Sequence, residues 1–269
     1  MLLAAALTAA LLPAGTGCAQ SVDPIERLGR KAAQEVRPNG PAREPAYRRW
    51  GLRYPLAPPP HPPARPLSES RTPAHARPPV VDRVPTTDRV VFLTYDDGAE
   101  RDPRFVDLVR ELRLPVSLFL TDSVVGPGYG HFARLRSVGA TVQNHTLHHP
   151  ALPGLPYAGQ RAEICGQQDK LRSRFGIRPR LFRPPYGRYD TTTLRAAAHC
   201  GIRAVVLWRA AMTATGLACP RGDRHLHPGD IVLVGPDEPT APTPRSLTTR
   251  LLRTIQSQGL TVARLEDYL

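Results

Sequence analysis

From residue 88 onward, short apolar runs alternate with stretches of helical character, and this alternation limits the fold more than any other feature of the chain. Strands are expected at 89–95, 116–121, 139–145, 180–182, 204–208, 230–234 and 261–265. Helices are expected at 103–112, 132–138, 158–175, 191–200 and 245–258. A run such as RVVFLTY is apolar almost without a break, which suits a strand covered on both faces. Strands that take turns with helices build a parallel sheet, because a parallel neighbour needs a crossover long enough to hold a helix. About seven parallel strands within residues 88–269 fit a small (β/α) barrel of the α/β class, and no internal repeat is seen.

The first 87 residues read differently. Residues up to Leu12 are mostly small and apolar, and Pro13-Ala14-Gly15-Thr16-Gly17-Cys18 follows. This is the form of an export signal that ends at a small-residue cleavage site. Residues 1–18 resemble a bacterial lipoprotein signal with Cys18 as the lipidated residue; the alternative is a plain secretory signal cut near Ala19. The protein is therefore expected outside the cell, lipid-anchored to the outer face of the cell membrane or secreted. Residues 19–87 carry 14 prolines between Pro38 and Pro85, after a short helical-looking stretch at 23–36. Proline locks φ and removes a backbone donor, so this region reads as a stiff, basic, extended tether. The alternative is an arm packed on the domain, with Tyr47, Trp50 and Tyr54 as anchors.

The net charge is +13, and all but Lys31 and Lys170 of the 36 basic residues are arginine. That skew is the mark of coding bias more than of nucleic-acid binding, and no basic helix or aromatic-plus-basic stretch accompanies it. A basic surface suits an anionic cell wall or membrane face. No apolar run is long enough to span a membrane as a helix.

In parallel α/β folds, reactive residues gather at the carboxyl ends of strands. Three polar clusters fall at such ends here. The first is TYDDG at 94–98, where one of the adjacent carboxylates Asp96 and Asp97 can hold a cation while the other acts as a base. A helix cap followed by a turn is its plain structural alternative. The second is HTLHHP at 145–150. His145 and His149 are four apart, so a single turn or tight loop brings their rings onto one divalent metal. Pro150 disfavours helix at His149, and His148 is expected to point elsewhere. With Asp97 the two histidines make an Asp-His-His set with open coordination positions, of the kind that activates water. The third cluster is RPPYG at 183–187, a stiffened loop whose Arg183 can orient a carboxylate by a charge-assisted pair.

These three motifs, in this order, resemble the polysaccharide deacetylase family (carbohydrate esterase family 4, the NodB homology domain), over roughly residues 88–269. The resemblance implies a distorted (β/α) barrel and metal-dependent removal of acetyl groups from sugars. It implies Asp96 as general base, Asp97, His145 and His149 as ligands of a divalent metal, and Arg183 as the residue that holds Asp96. The metal would be zinc by preference, with cobalt or another transition metal as alternatives. The backbone N–H of Tyr186 would help stabilise the tetrahedral oxyanion, and Trp208 would line the acetyl pocket. Two departures stand out. The family's fourth motif has an aspartate that tethers the arginine, and residues 209–213 here (RAAMT) hold no carboxylate. Its fifth motif ends in a histidine that protonates the leaving group, and Gly235 stands in that place. His225, His227, Asp237 and Glu238 are the nearby substitutes.

Cys165 and Cys200 fall in or at the ends of successive expected helices and are the favoured disulfide, which suits an exported protein. The expectation is a monomeric, metal-dependent hydrolase that removes N- or O-acetyl groups from an extracellular polysaccharide, peptidoglycan or a chitin-like glycan being favoured. The alternative is a catalytically impaired, sugar-binding pseudoenzyme of the cell wall.

Overall fold

The computed structural model describes residues 44–67, 77–98, 101–219, 224–235 and 242–269. The expected export signal, Cys18 and the helix at 23–36 lie outside the described residues. The strands are β1 (Val80–Val81), β2 (Val90–Tyr95), β3 (Val116–Leu120), β4 (Thr141–Asn144), β5 (Leu181–Phe182), β6 (Ala204–Val206), β7 (Ala210–Thr213), β8 (Gly216–Ala218), β9 (Ile231–Val234) and β10 (Thr261–Val262). The helices are α1 (Ala46–Arg49), α2 (Pro103–Leu112), α3 (Asp122–Val125), α4 (Tyr129–Ser137), α5 (Tyr157–Phe175), α6 (Thr191–His199) and α7 (Pro244–Ser257).

The sheet runs β1-β6-β5-β4-β3-β2-β9-β7-β8, with β10 also beside β2. Every named pair is parallel except β7 with β8. β2 is the central element: all six of its residues are buried, as are all five of β3. The start of β2 (Val90, Val91) pairs with β10, while its later residues (Phe92 to Thr94) pair with β9. One strand thus changes partner along its length, and the sheet curls into a distorted (β/α) barrel.

All seven expected strands occur. Three more were not expected. β7 and β8 form a hairpin directly after Trp208, where helices and long strands gave the sequence no periodic signal. β1 lies inside the segment read as a tether.

That tether reading needs correction for residues 44–67 and 77–87. Leu52, Val81 and Val84 are buried at 4%, 6% and 3% exposure. Trp50 Nε1 donates to Glu111 at 2.7 Å, and Tyr54 and Gln256 exchange two hydrogen bonds at 3.0 and 2.7 Å. β1 pairs with β6 through Val80 and Val81. The segment is rich in proline yet carries apolar anchors. Proline leaves no N–H to satisfy, so such an arm can lie on the domain without joining a ladder.

Local signals set the helix ends around the site. Asp102 caps α2 by accepting from Arg104 N–H at 2.9 Å, and Pro103 takes the first helical position, where no donor is needed. Asp190 and Thr193 form a reciprocal capping box at the start of α6. A disulfide joins Cys165 on α5 to Cys200 at the end of α6.

Candidate active site

The polar clusters after β2, β4 and β5 meet in one cleft of about 450 Å³ at the carboxyl ends of the strands. Asp96, Asp97, His145, His149 and Tyr186 line its polar side. Val124, Trp208, Ala211, Leu233, Val234 and Gly235 line the other. The parallel sheet explains the meeting. β3 separates β2 from β4, β5 follows β4, and all point their ends the same way.

The loops that carry these residues are unusual in backbone conformation. Asp97, Thr146, His149 and Tyr186 have φ of 65°, 71°, 63° and 59°, the left-handed region that side chains with a Cβ avoid. Such residues gather where the fold places a group for function and overrides local preference.

Arg183 is fully buried and organises the floor. Its Nη1 donates to Asp96 Oδ1 at 2.6 Å and to Thr94 Oγ1 at 3.0 Å. Its Nε and Nη2 donate to the carbonyls of Val206 and Leu207 at 3.2 and 3.1 Å. Phe119 lies under the guanidinium, 4.3 Å from its centre. The carboxylate missing from residues 209–213 is thus replaced by two main-chain carbonyls at the end of β6. Asp96 is the single carboxylate bonded to Arg183 among the described residues. Arg209 turns instead to Asp82 at 3.0 Å. Thr94, which no sequence signal singles out, bridges the arginine to β9 by donating to Val232 O at 2.9 Å.

The same Arg183 fixes a histidine through its main chain. His145 Nδ1 lies 2.7 Å from Arg183 O. A carbonyl can only accept, so Nδ1 donates its proton there and Nε2 is the ring nitrogen left facing the cleft. That Nε2 faces Asp97 Oδ1 at 3.4 Å, and His149 Nε2 faces the same oxygen at 3.1 Å. Burial pushes the Asp97 carboxyl up, but the two histidines outweigh it and hold the group well below the usual carboxylate range. Asp97 in turn holds His149 above its ordinary value against burial.

The donor atoms of Asp97, His145 and His149 all lie within 4.8 Å of one another. Asp97 Oδ1 is buried and has no hydrogen-bond partner of good geometry. A buried acceptor left without a donor is costly, and a cation between the oxygen and two imidazole nitrogens removes that cost. One carboxylate with two imidazoles is a donor set that zinc and similar divalent ions accept, so the residues fit such an ion.

Tyr186 sits at the rim with its side chain 63% exposed and its ring edge-on to His149 at 4.7 Å. The turn around it uses the N–H groups of Gly187 and Arg188, bonded to Pro184 O and Pro185 O at 3.0 Å each. Gly187, at φ 67°, permits the close approach of Trp208: a Cβ there would lie 3.2 Å from the Trp208 ring.

Not every candidate converges. His225 and His227 precede β9 and lie at its amino end, whereas Gly235 ends it on the cleft side. Neither can act as the missing acid, because the strand separates them from the cleft. Asp237 and Glu238 lie outside the described residues. His148 does not point idly into solvent: its Nδ1 lies 2.9 Å from Glu163 Oε1.

Residues 83–205 match the family model described as polysaccharide deacetylase. An uncharacterised protein of Streptomyces coelicolor is 69% identical over 193 residues, which are 71% of this chain and 78% of that protein. A chitin deacetylase of Amylomyces rouxii is 33% identical over 133 residues, 46% of this chain but only 31% of that protein. The solved structure of a family 4 carbohydrate esterase from Bacillus anthracis has the same fold, with a TM-score of 0.60 at 19% identity over 72% of this chain and 89% of that one. The matched span takes in each loop on the polar side of the cleft, and the chain carries a polysaccharide deacetylase domain over residues 83–205.

Proposed function

We propose that the chain is a metal-dependent hydrolase that removes N- or O-acetyl groups from an extracellular polysaccharide, with peptidoglycan or a chitin-like glycan as the favoured substrate. The polysaccharide deacetylase domain at residues 83–205 supports the reaction class. The observation that carries the reading is the convergence of His145 and His149 on the buried Asp97 Oδ1, which accepts no hydrogen bond of good geometry, directly beside a carboxylate held by a buried arginine.

When bound, the ion would supply Lewis-acid polarisation of the acetyl carbonyl and acidify an attacking water. The protein's own groups do the rest. Arg183 holds Asp96 by Oδ1, which leaves Oδ2 directed at the cleft, 3.9 Å from His145 Nε2. Asp96 takes the proton of the attacking water through that oxygen. The Tyr186 N–H, in a turn where Tyr186 is left-handed, donates to the oxyanion. Trp208 and the aliphatic wall from β9 pack around the acetyl methyl and limit water. Export, with Cys18 as the lipid-bearing residue, is proposed from the leader alone, and the Cys165–Cys200 disulfide is consistent with an oxidising compartment.

The second reading, a sugar-binding pseudoenzyme, is favoured by one observation: Gly235 offers no proton where β9 meets the cleft. A lost general acid slows hydrolysis by about 10²–10⁴-fold and affects an amine leaving group more than an alkoxide. The test is acetate release by the full chain, supplied with zinc or cobalt, from cell-wall glycan, chito-oligomers and a simple aryl acetate. Release that disappears in Asp96→Asn supports the hydrolase, and an ester-only profile assigns the O-acetyl substrate. Stoichiometric metal binding without release from any substrate would refute it in favour of the pseudoenzyme.

A further inference from the structure

We propose that Glu163 is a positioning residue that holds the two histidine ligands in register and thereby sets the affinity of the site for its ion. This rests on the metal-dependent reading above. His145 and His149 are joined by Thr146, Leu147 and His148, and two of these five residues, Thr146 and His149, are left-handed. Each such residue stores about 1–3 kcal/mol of strain, so the loop keeps its shape only if its surroundings impose it.

The surroundings do so through side chains. Thr146 N–H donates to Asn144 Oδ1 at 2.9 Å, and His149 N–H to Thr146 Oγ1 at 3.1 Å. The two amides between them, Leu147 and His148, both donate to Glu163 Oε2 at 3.1 and 2.9 Å. The other Glu163 oxygen accepts from His148 Nδ1 at 2.9 Å. Four consecutive N–H groups therefore reach side-chain oxygens, that of Leu147 shared with the Glu163 main-chain carbonyl at 3.1 Å, and Glu163 is the charged acceptor among them. Its carboxylate is 15% exposed, so these bonds lie partly out of water.

The helix beneath is fixed to the same loop by the residues that follow. Ile164 O accepts from Asn144 Nδ2 at 2.9 Å. Cys165 carries the disulfide to Cys200. Gly166 leaves room for Leu147, whose Cδ2 would lie 3.2 Å from a Cβ at that position. Glu163 thus rests on a rigid turn and grips the middle of the span between the ligands. A group that orients ligands without touching the ion typically changes its affinity about 10–100-fold when removed.

The test is zinc affinity of the full chain by competition with a chelating dye, together with amide hydrogen exchange of residues 146–149 in metal-free protein. Glu163→Ala is expected to raise the zinc Kd about 10–100-fold and to speed exchange at His148, whose N–H loses its acceptor, more than at Leu147, which keeps the residue-163 main-chain carbonyl. Glu163→Gln keeps one oxygen acceptor and is expected to recover part of both. Asp169→Ala removes a carboxylate from the same helix, where Asp169 meets Arg178 at 3.5 Å on the surface, and should change neither. In turnover, excess zinc should restore kcat in Glu163→Ala, which a merely destabilised fold would not show. Parent-like affinity and exchange in Glu163→Ala would overturn the proposal, as would an equal loss in Asp169→Ala. If Glu163→Ala does not fold, Glu163→Gln is read by the same two measures. A parent chain that binds no zinc refutes the metal-dependent reading, and the exchange data then decide on Glu163 by themselves.

Discussion

The Arg183–Asp96 pair invites a double-mutant cycle in metal-free protein, so that ion binding does not add to stability. The pair is 2.6 Å apart, with Arg183 at 0% and Asp96 at 16% side-chain exposure. Arg183→Met removes the charge at similar volume, but strands Asp96 and leaves the Val206 and Leu207 carbonyls without donors. Asp96→Asn keeps the shape and leaves a buried guanidinium facing neutral partners alone. Breaking one side of a buried pair costs about 3–5 kcal/mol, since the partner's charge remains uncompensated. For a domain of this size that is a drop in Tm of about 6–20 °C, at about 2–4 °C per kcal/mol. The double variant loses both charges, so it should be less destabilised than the sum of the singles by about 2–3 kcal/mol, the upper range for coupled neighbours. Urea midpoints and thermal scans read the cycle. Raising salt to about 0.5 M should change the coupling little, because a buried pair is weakly screened. Additivity of the two singles within about 0.5 kcal/mol would refute the argument that each charge depends on the other.

Three further outcomes are expected. Replacing Cys165 and Cys200 by serine opens a link across 35 residues and should lower stability by about 3–4 kcal/mol, read by urea unfolding; no change would mean that α5 and α6 dock without it. A chain started at residue 88 lacks Leu52, Val81 and Val84, each worth about 1.5–3 kcal/mol when buried. It should melt well below one started at residue 44 or fail to fold, and equal melting would restore the free-tether reading. His131 is buried with neither ring nitrogen hydrogen-bonded, and burial first, then Arg134 and Arg101, press it below its ordinary value. Its native value lies below its unfolded one, so its contribution is complete above about pH 6.5 and is lost as pH falls toward the native value. Urea midpoints across that window should show the slope in the parent and a flatter one in His131→Phe.

Legibility differed by the range of the signal. The strand runs and helix caps repeat over a few residues, so β2, β3, α2 and α5 stand where the pattern placed them, within a residue or two. The hairpin of β7 and β8 has strands of four and three residues, too short for a period to register. Likewise, β1 is two valines between polar neighbours and becomes a strand only because β6 offers it an edge.

By itself the sequence determined that polar clusters would close successive parallel strands, and parallel geometry then required Asp96, Asp97, His145, His149 and Arg183 to meet. It also carried the absence of a side chain at Gly235. Only the tertiary structure decided what holds those residues. Arg183 is anchored by carbonyls 23 and 24 positions away, and the histidine loop by a carboxylate 15 positions beyond His148. A main-chain carbonyl is the same in every residue type, and a glutamate on a helix resembles any solvated charge. Such partners become visible only when the chain is folded, because their role depends on position and not on identity. The same holds for the arm at 44–67, whose prolines describe its stiffness while Leu52 and Trp50 decide where it rests.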